Sequence, residues 1–152
     1  MTKCFFVSDL HGKKHRFLSL IEKIREEKPN IVFLGGDISP PFNLSHIEYK
    51  GDFFDSFFIP LFINLKVEMG NLYPKIYIIP GNDDPASIEE DLLFVAEKED
   101  LWEYLHMKKS RYNEYNIFGY AFIPPTPFIH KDWELYDVSR YADPGCIHPT
   151  EG

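Results

Sequence analysis

Cysteine is scarce in this 152-residue chain: only Cys4 and Cys146 occur, far apart. No disulfide framework of the kind that staples small secreted domains can be built from them, and a reducing, cytoplasmic setting is the expectation. Cys4 falls in an apolar run and reads as a small hydrophobe of a core strand. The N-terminus lacks the apolar stretch of a secretory signal before its first charge. No run approaches the ~20 apolar residues of a membrane span; the Phe-rich stretch from Phe53 to Val67 is broken by Asp55, Pro60, Asn64 and Lys66. Basic residues are outnumbered, 16 against 24 acidic, for a formal charge of −8. A general nucleic-acid-binding surface, which depends on Lys and Arg neutralising phosphates, is therefore not expected. A phosphate-bearing small substrate is still allowed, because bound divalent cations reverse the sign of a local field. Both G-x-G-x-x-G and G-x-x-x-x-G-K-[ST] are missing, which counts against a nucleotide-binding doubly wound protein. No internal repeat or low-complexity block is evident.

What the chain does contain is a 44% apolar, 26% charged composition, ordinary for a globular protein and long enough for one domain over residues 1–152. Lys3–Ser8 is a nearly continuous apolar run, as in a parallel strand buried on both faces. A helix is predicted over Lys14–Glu27, with Phe17, Leu20, Ile21 and Ile24 forming one stripe. Ile31–Leu34 is the next strand, and the resulting strand-helix-strand unit should cross over right-handed. Ser39–Lys50 reads as loop. Gly51–Gly70 reads as an aromatic-rich helix in which Pro60 either starts a new helix or kinks the old one. Lys75–Ile79 is a third strand, Ala86–Glu97 a third helix with Ile88, Leu92, Leu93 and Val95 inward, and Asn116–Ile123 a further strand. From Pro124 onward the sequence reads as loop and linker. The Phe53–Phe62 aromatics are expected in the core.

Three short motifs follow predicted strands: Asp9-Leu10-His11-Gly12, Gly35-Gly36-Asp37 and Gly81-Asn82-Asp83-Asp84. Ligands of open α/β sheets gather at the carboxyl ends of strands. Two carboxylates, an imidazole and an amide converging there suit divalent transition metals. Gly12, Gly36 and Gly81 allow sharp turns off the strands at positive φ. Helix N-capping is the alternative role for an Asp or Asn in such a place. Three caps in this order, with His11 two residues beyond Asp9, would be a strong coincidence.

The succession Asp-x-His, Gly-Asp, Gly-Asn resembles the calcineurin-like metallophosphoesterases. The motifs run from Lys3 to Asp84, and the likeness extends more weakly through Phe118–Phe128, which is similar to predicted phosphoesterases related to the cyclic-nucleotide phosphodiesterase group. The resemblance implies an α/β fold, an αββα sandwich of two sheets between helical layers. It implies two divalent ions, Mn, Fe or Zn, with Asp9 and His11 on the first, Asn82 on the second and Asp37 bridging. It further implies hydrolysis of a small phosphomono- or diester substrate by hydroxide held between the ions.

The chain departs from the family pattern in three ways. Asp83 stands where many members carry a general-acid histidine, and Pro40 where they carry the acidic residue that orients it. A carboxyl group is the poorer proton donor near neutral pH, so good leaving groups, or protonation through water, are expected. The later histidines, including a Gly-His-x-His motif, do not occur before Gly152. The sandwich is therefore expected to be incomplete, a C-terminally truncated domain holding one metal ion tightly, with weak catalysis. Its uncovered sheet, with Phe53–Phe62 and Phe118–Ile123 as contributors, is expected to drive self-association, unless Pro124–Gly152 folds back over it. His15 should be a solvated residue of the first helical turn, and His46, His106, His130 and His148 surface histidines. A non-catalytic metal-binding or interaction scaffold of the same fold is the alternative function.

Overall fold

The computed structural model describes residues 1–41, 49, 51–137 and 141–152. Four parallel strands, β1 (Cys4–Val7), β2 (Ile31–Leu34), β3 (Lys75–Ile78) and β4 (Glu103–Tyr104), lie in the order β1-β2-β3-β4. Between them run α1 (Lys14–Glu27), α2 (Ile59–Met69) and α3 (Ile88–Lys98). The strands step across the sheet in one direction. Right-handed crossovers that all step the same way must place every helix on one face. Phe17, Leu20, Ile21 and Ile24 of α1, Phe62 and Leu65 of α2, and Ile88, Leu92 and Val95 of α3 accordingly share one core with Val32, Leu34, Ile76 and Ile78 of the sheet.

The expected aromatic helix is present but not uniform. A π-helical turn, Phe54–Phe58, precedes α2 and runs directly into it. Pro60 has no N–H, and in a regular helix its ring would strike the carbonyl four residues back; the widened turn accommodates it. Phe58 is fully buried and contacts Phe17, Phe62 and Trp102 at centroid separations of 5.5, 5.0 and 5.2 Å. These rings join α1, α2 and the chain entering β4.

The opposite sheet face carries a smaller cluster of Ile31, Tyr77 and Leu105, with Phe33, Tyr112 and Ile117 against it. The antiparallel hairpin of β5 (Lys109–Tyr112) and β6 (Tyr115–Phe118) supplies that cover. It is too short to close the face. Phe6 remains 73% and Phe118 70% exposed. Two expectations are corrected here. β1 is an edge strand whose Phe5 and Val7 are half-buried against the helical core while its other face is open, so Cys4 is exposed and not a core residue. Phe53, Phe54, Phe58 and Phe62 are buried in the helical core and contribute nothing to the uncovered face.

The segment after Pro124 is irregular, as expected, but it is packed. Trp133 is buried and donates its indole N–H to the Asp84 carbonyl at 2.8 Å. Lys131 and Glu134 form a buried ion pair at 2.7 Å. The Asp132 carboxylate accepts the Ala86 N–H at 2.6 Å. The tail thus braces the loop before α3 and leaves Phe6 and Phe118 open. No helix among the described residues is long and apolar enough to cross a membrane.

Candidate metal centre

The register aligns three loops. Val7 pairs with Leu34, and Leu34 with Ile78, so the chain leaves β1, β2 and β3 at one rim. The first two loops stay hydrogen-bonded beyond the strands. Asp9 N–H donates to Gly36 at 3.2 Å, His11 N–H to Asp37 at 2.7 Å and Gly12 N–H to Ile38 at 2.8 Å. This ladder holds Asp9 and His11 beside Asp37. One ligand atom from each lies within 4.8 Å of the others. Among the described residues it is the only group of three or more His, Cys, Asp and Glu side chains so placed.

The backbone is unusual at the same three residues. Asp9, His11 and Asp37 have φ of 59°, 48° and 53°. Left-handed backbone in non-glycine residues is sparsely populated, and it concentrates where function demands a side-chain direction. Capping does not explain these residues: the N-cap positions of α1 and α3 are Lys13 and Ser87, and neither makes a side-chain cap hydrogen bond. The glycines divide the work. Gly12 and Gly36 have positive φ, as expected. Gly81 does not; it is needed for closeness, since a Cβ there would collide with the Asp37 carboxylate.

The third loop closes on Asp37 from the other side. The Asp83 N–H donates to Asp37 Oδ1 at 2.9 Å, with Gly81 packed on the same carboxylate. Asn82 lies between these two contacts, and its side-chain amide donates to Asp83 Oδ1 at 3.1 Å. Asp83, at the position of the family's general acid, has its carboxylate 3.7 Å from His11 Nδ1. Burial pushes the Asp37 carboxyl above the usual range, and the negative charges of Asp84 and Asp83 add to this, against the Asp83 N–H bond and His11. A bound cation relieves such crowding, so the donor chemistry fits a divalent metal.

Sequence reasoning missed Asp84. It is fully buried. Its Oδ1 accepts from Ile38 N–H at 3.0 Å and Ser39 N–H at 2.7 Å, and its Oδ2 from Gly81 N–H at 2.9 Å. One side chain therefore ties the Gly-Asp loop to the Gly-Asn loop. The doubled Asp83-Asp84 was the available signal, but sequence alone does not say which of two neighbouring carboxylates faces inward.

The other histidines separate. His15 is exposed, as expected. His46 lies outside the described residues. His130 is exposed and contacts the Asp84 carbonyl at 3.2 Å, and His148 is half-buried against Tyr136. His106 is a correction: it is 8% exposed, its Nδ1 accepts the Ala121 N–H at 3.0 Å, and Phe122 and Trp133 pack on its ring. Beside the centre, a cavity of about 820 Å³ opens between Asp83, His130 and the starts of the two later helical segments.

The family model of the calcineurin-like phosphoesterases matches residues 2–144, and the chain belongs to that family. One solved structure aligns at 19% identity and a TM-score of 0.56, over 88% of this chain and 58% of its own. The crystal structure of TT1561 of Thermus thermophilus aligns at 13% identity and a TM-score of 0.57, over 90% of this chain and 57% of its own. Both share the α/β fold of this chain, which spans less than three fifths of each. No curated relative matches the chain.

Proposed function

We propose that this chain is a metal-dependent phosphoesterase whose ligands are Asp9, His11, Asp37 and Asn82. The convergence of Asp9, His11 and Asp37 donor atoms within 4.8 Å, each on left-handed backbone, carries the reading. A bound divalent ion supplies positive charge for the phosphoryl oxygens and lowers the pKa of attacking water. The protein's own contribution is position. The loop after β1 hydrogen-bonds to the Asp37 main chain and the loop after β3 to its carboxylate, which supports Asp37 as the carboxylate that would be shared between two ions. Asn82 is the neutral ligand of the second ion. Asp83 cannot replace an imidazolium as proton donor with equal efficiency, so the protein favours esters of acidic alcohols and phenols.

The small number of clustered donors supports one tightly held ion in this chain and slow turnover. It also favours a second reading, a non-catalytic metal-binding scaffold of the same fold. Hydrolysis of bis-para-nitrophenyl phosphate with added Mn²⁺ separates the two. The phosphoesterase reading expects a slow, metal-dependent rate that His11→Ala abolishes. No rate above the metal-only control would leave the scaffold. The uncovered face around Phe6 and Phe118 supports self-association, which we propose as the quaternary behaviour of this chain.

A further inference from the structure

One edge of β1 is occupied by β2. The Lys3 and Val7 carbonyls accept from Ile31 and Gly35 N–H at 3.3 and 2.8 Å, and the Asp9 N–H donates to Gly36 at 3.2 Å. Backbone groups alternate in direction along a strand, so those of Cys4, Phe6 and Ser8 point the other way. No described strand pairs with them. Open edges are ordinarily blunted by a charge, a proline or a bulge. Cys4–Val7 carries none of these: its four residues are apolar, and positive φ begins only at Asp9. Lys3 stands just outside, its Nζ held by Glu27 at 2.6 Å. An open groove of about 650 Å³ follows this edge, between β1 and the flank of α1 from Arg16 to Glu27. Leu10 and Leu20 line it together with Phe5 and Val7.

We propose, resting on the self-association reading above, that the partner at this edge is a second copy of the chain. Its β1 adds antiparallel to this one and joins the two sheets about a two-fold axis at Phe6. Identical edges related by a two-fold axis present the same patch to each other. Opposed residues of an antiparallel pair both turn their backbone groups toward the partner, or both away from it. The axis must therefore pass through a residue and not between two. At Phe6 it sets that ring, 73% exposed, against its own copy, Phe5 against Val7, and Cys4 against Ser8. Helix α1 selects the same axis independently. Glu27 is fixed beside Lys3, and the Arg16 guanidinium beside Asp9, to whose carbonyl it donates. Lys3 and Asp9 lie equally far on either side of Phe6, so the same rotation turns Arg16 of each copy toward Glu27 of the other. Both ends of the joint are then charge-complementary, which fixes register. An unrelated extended peptide would complete the strand ladder without these reciprocal pairs. Stacking of the open faces would instead make Phe118 central and leave the edge free.

Ser8→Cys in a Cys146→Ser background tests the register. Opposed Cα atoms of such a pair are about 5.5 Å apart, within disulfide reach. Cys4 and position 8 of the same strand are about 13 Å apart and cannot bridge. Oxidised glutathione should therefore link two copies through Cys4 and the introduced thiol, giving a reducible dimer on a denaturing gel. Cys146→Ser alone should not link, because the two Cys4 thiols lie on opposite sides of the axis. Charge reversal tests the joint without an added cysteine. Arg16→Glu and Glu27→Arg should each weaken the dimer about tenfold in sedimentation equilibrium, and the double reversal should recover most of the loss. A wild-type dimer that neither links at position 8 nor responds to charge reversal overturns the edge joint and leaves self-association standing. Equal linking in Cys146→Ser alone also overturns it. A monomeric mass at every concentration overturns both.

Discussion

Removing the Asp84 carboxylate should do more damage than removing any metal ligand. The side chain is fully buried, and three backbone N–H groups, from Ile38, Ser39 and Gly81, terminate on it. In Asp84→Ala those donors lose their acceptor in a space closed to bulk water. Each unsatisfied buried donor costs about 1–3 kcal/mol. The three share one acceptor and relax together, so the sum is not additive, and about 3–5 kcal/mol is the expected loss. That is a large part of the ~5–15 kcal/mol available to a domain. Asp84→Asn should cost less, about 2 kcal/mol, because its amide oxygen can still serve the Ile38 and Ser39 side while its NH₂ opposes Gly81. Urea unfolding of metal-free protein, followed by circular dichroism, gives the difference directly. Below the midpoint, Asp84→Asn should also bind Mn²⁺ more weakly than wild type, because Asp37 and Asn82 are no longer held together. A loss under about 1 kcal/mol for Asp84→Ala would refute the view that this carboxylate joins the two loops.

Asp37→Asn should lower Mn²⁺ affinity at least tenfold, ~1.4 kcal/mol, with little effect on stability; calorimetric titration showing equal affinity would contradict its central place. Burial holds the His106 imidazole below its usual pKa, and its Nδ1 is occupied by the Ala121 N–H. The unfolded chain therefore takes up a proton first, and this contribution, complete above about pH 6.5, is lost as pH falls toward the lower folded value. Thermal melts from about pH 8 to 5 should show that loss, and His106→Gln should flatten it. Light scattering over a concentration series should show a dimer or larger species, which Phe6→Ser with Phe118→Ser shifts toward monomer. A monomeric mass throughout would mean that the open face stays solvated.

The three motifs were legible because each is bound to a strand end, and strand ends are marked by apolar runs. α1 was legible to the residue, since its stripe is regular and Pro29 closes it. β4 and β5 were not: Glu103–Tyr104 and Lys109–Tyr112 are short and polar, and their pairing with Ile78 and Phe118 is a tertiary fact with no local period. Cys4 and Phe6 misled because an apolar run signals a buried strand only when both neighbours and both faces are covered. β1 has one neighbour and one covered face. His106 looked like a surface histidine because nothing local announces that Phe122 and Trp133 will close over it.

Pulsed EPR of Mn²⁺ bound to the protein tests the proposed centre most directly. One tightly bound ion per chain should show nitrogen coupling from a histidine ring. The coupling should disappear in His11→Ala, and the tight ion itself should be lost in Asp37→Asn. Tight Mn²⁺ without histidine nitrogen coupling, or with a signal unchanged by both substitutions, would place the metal elsewhere and contradict the account.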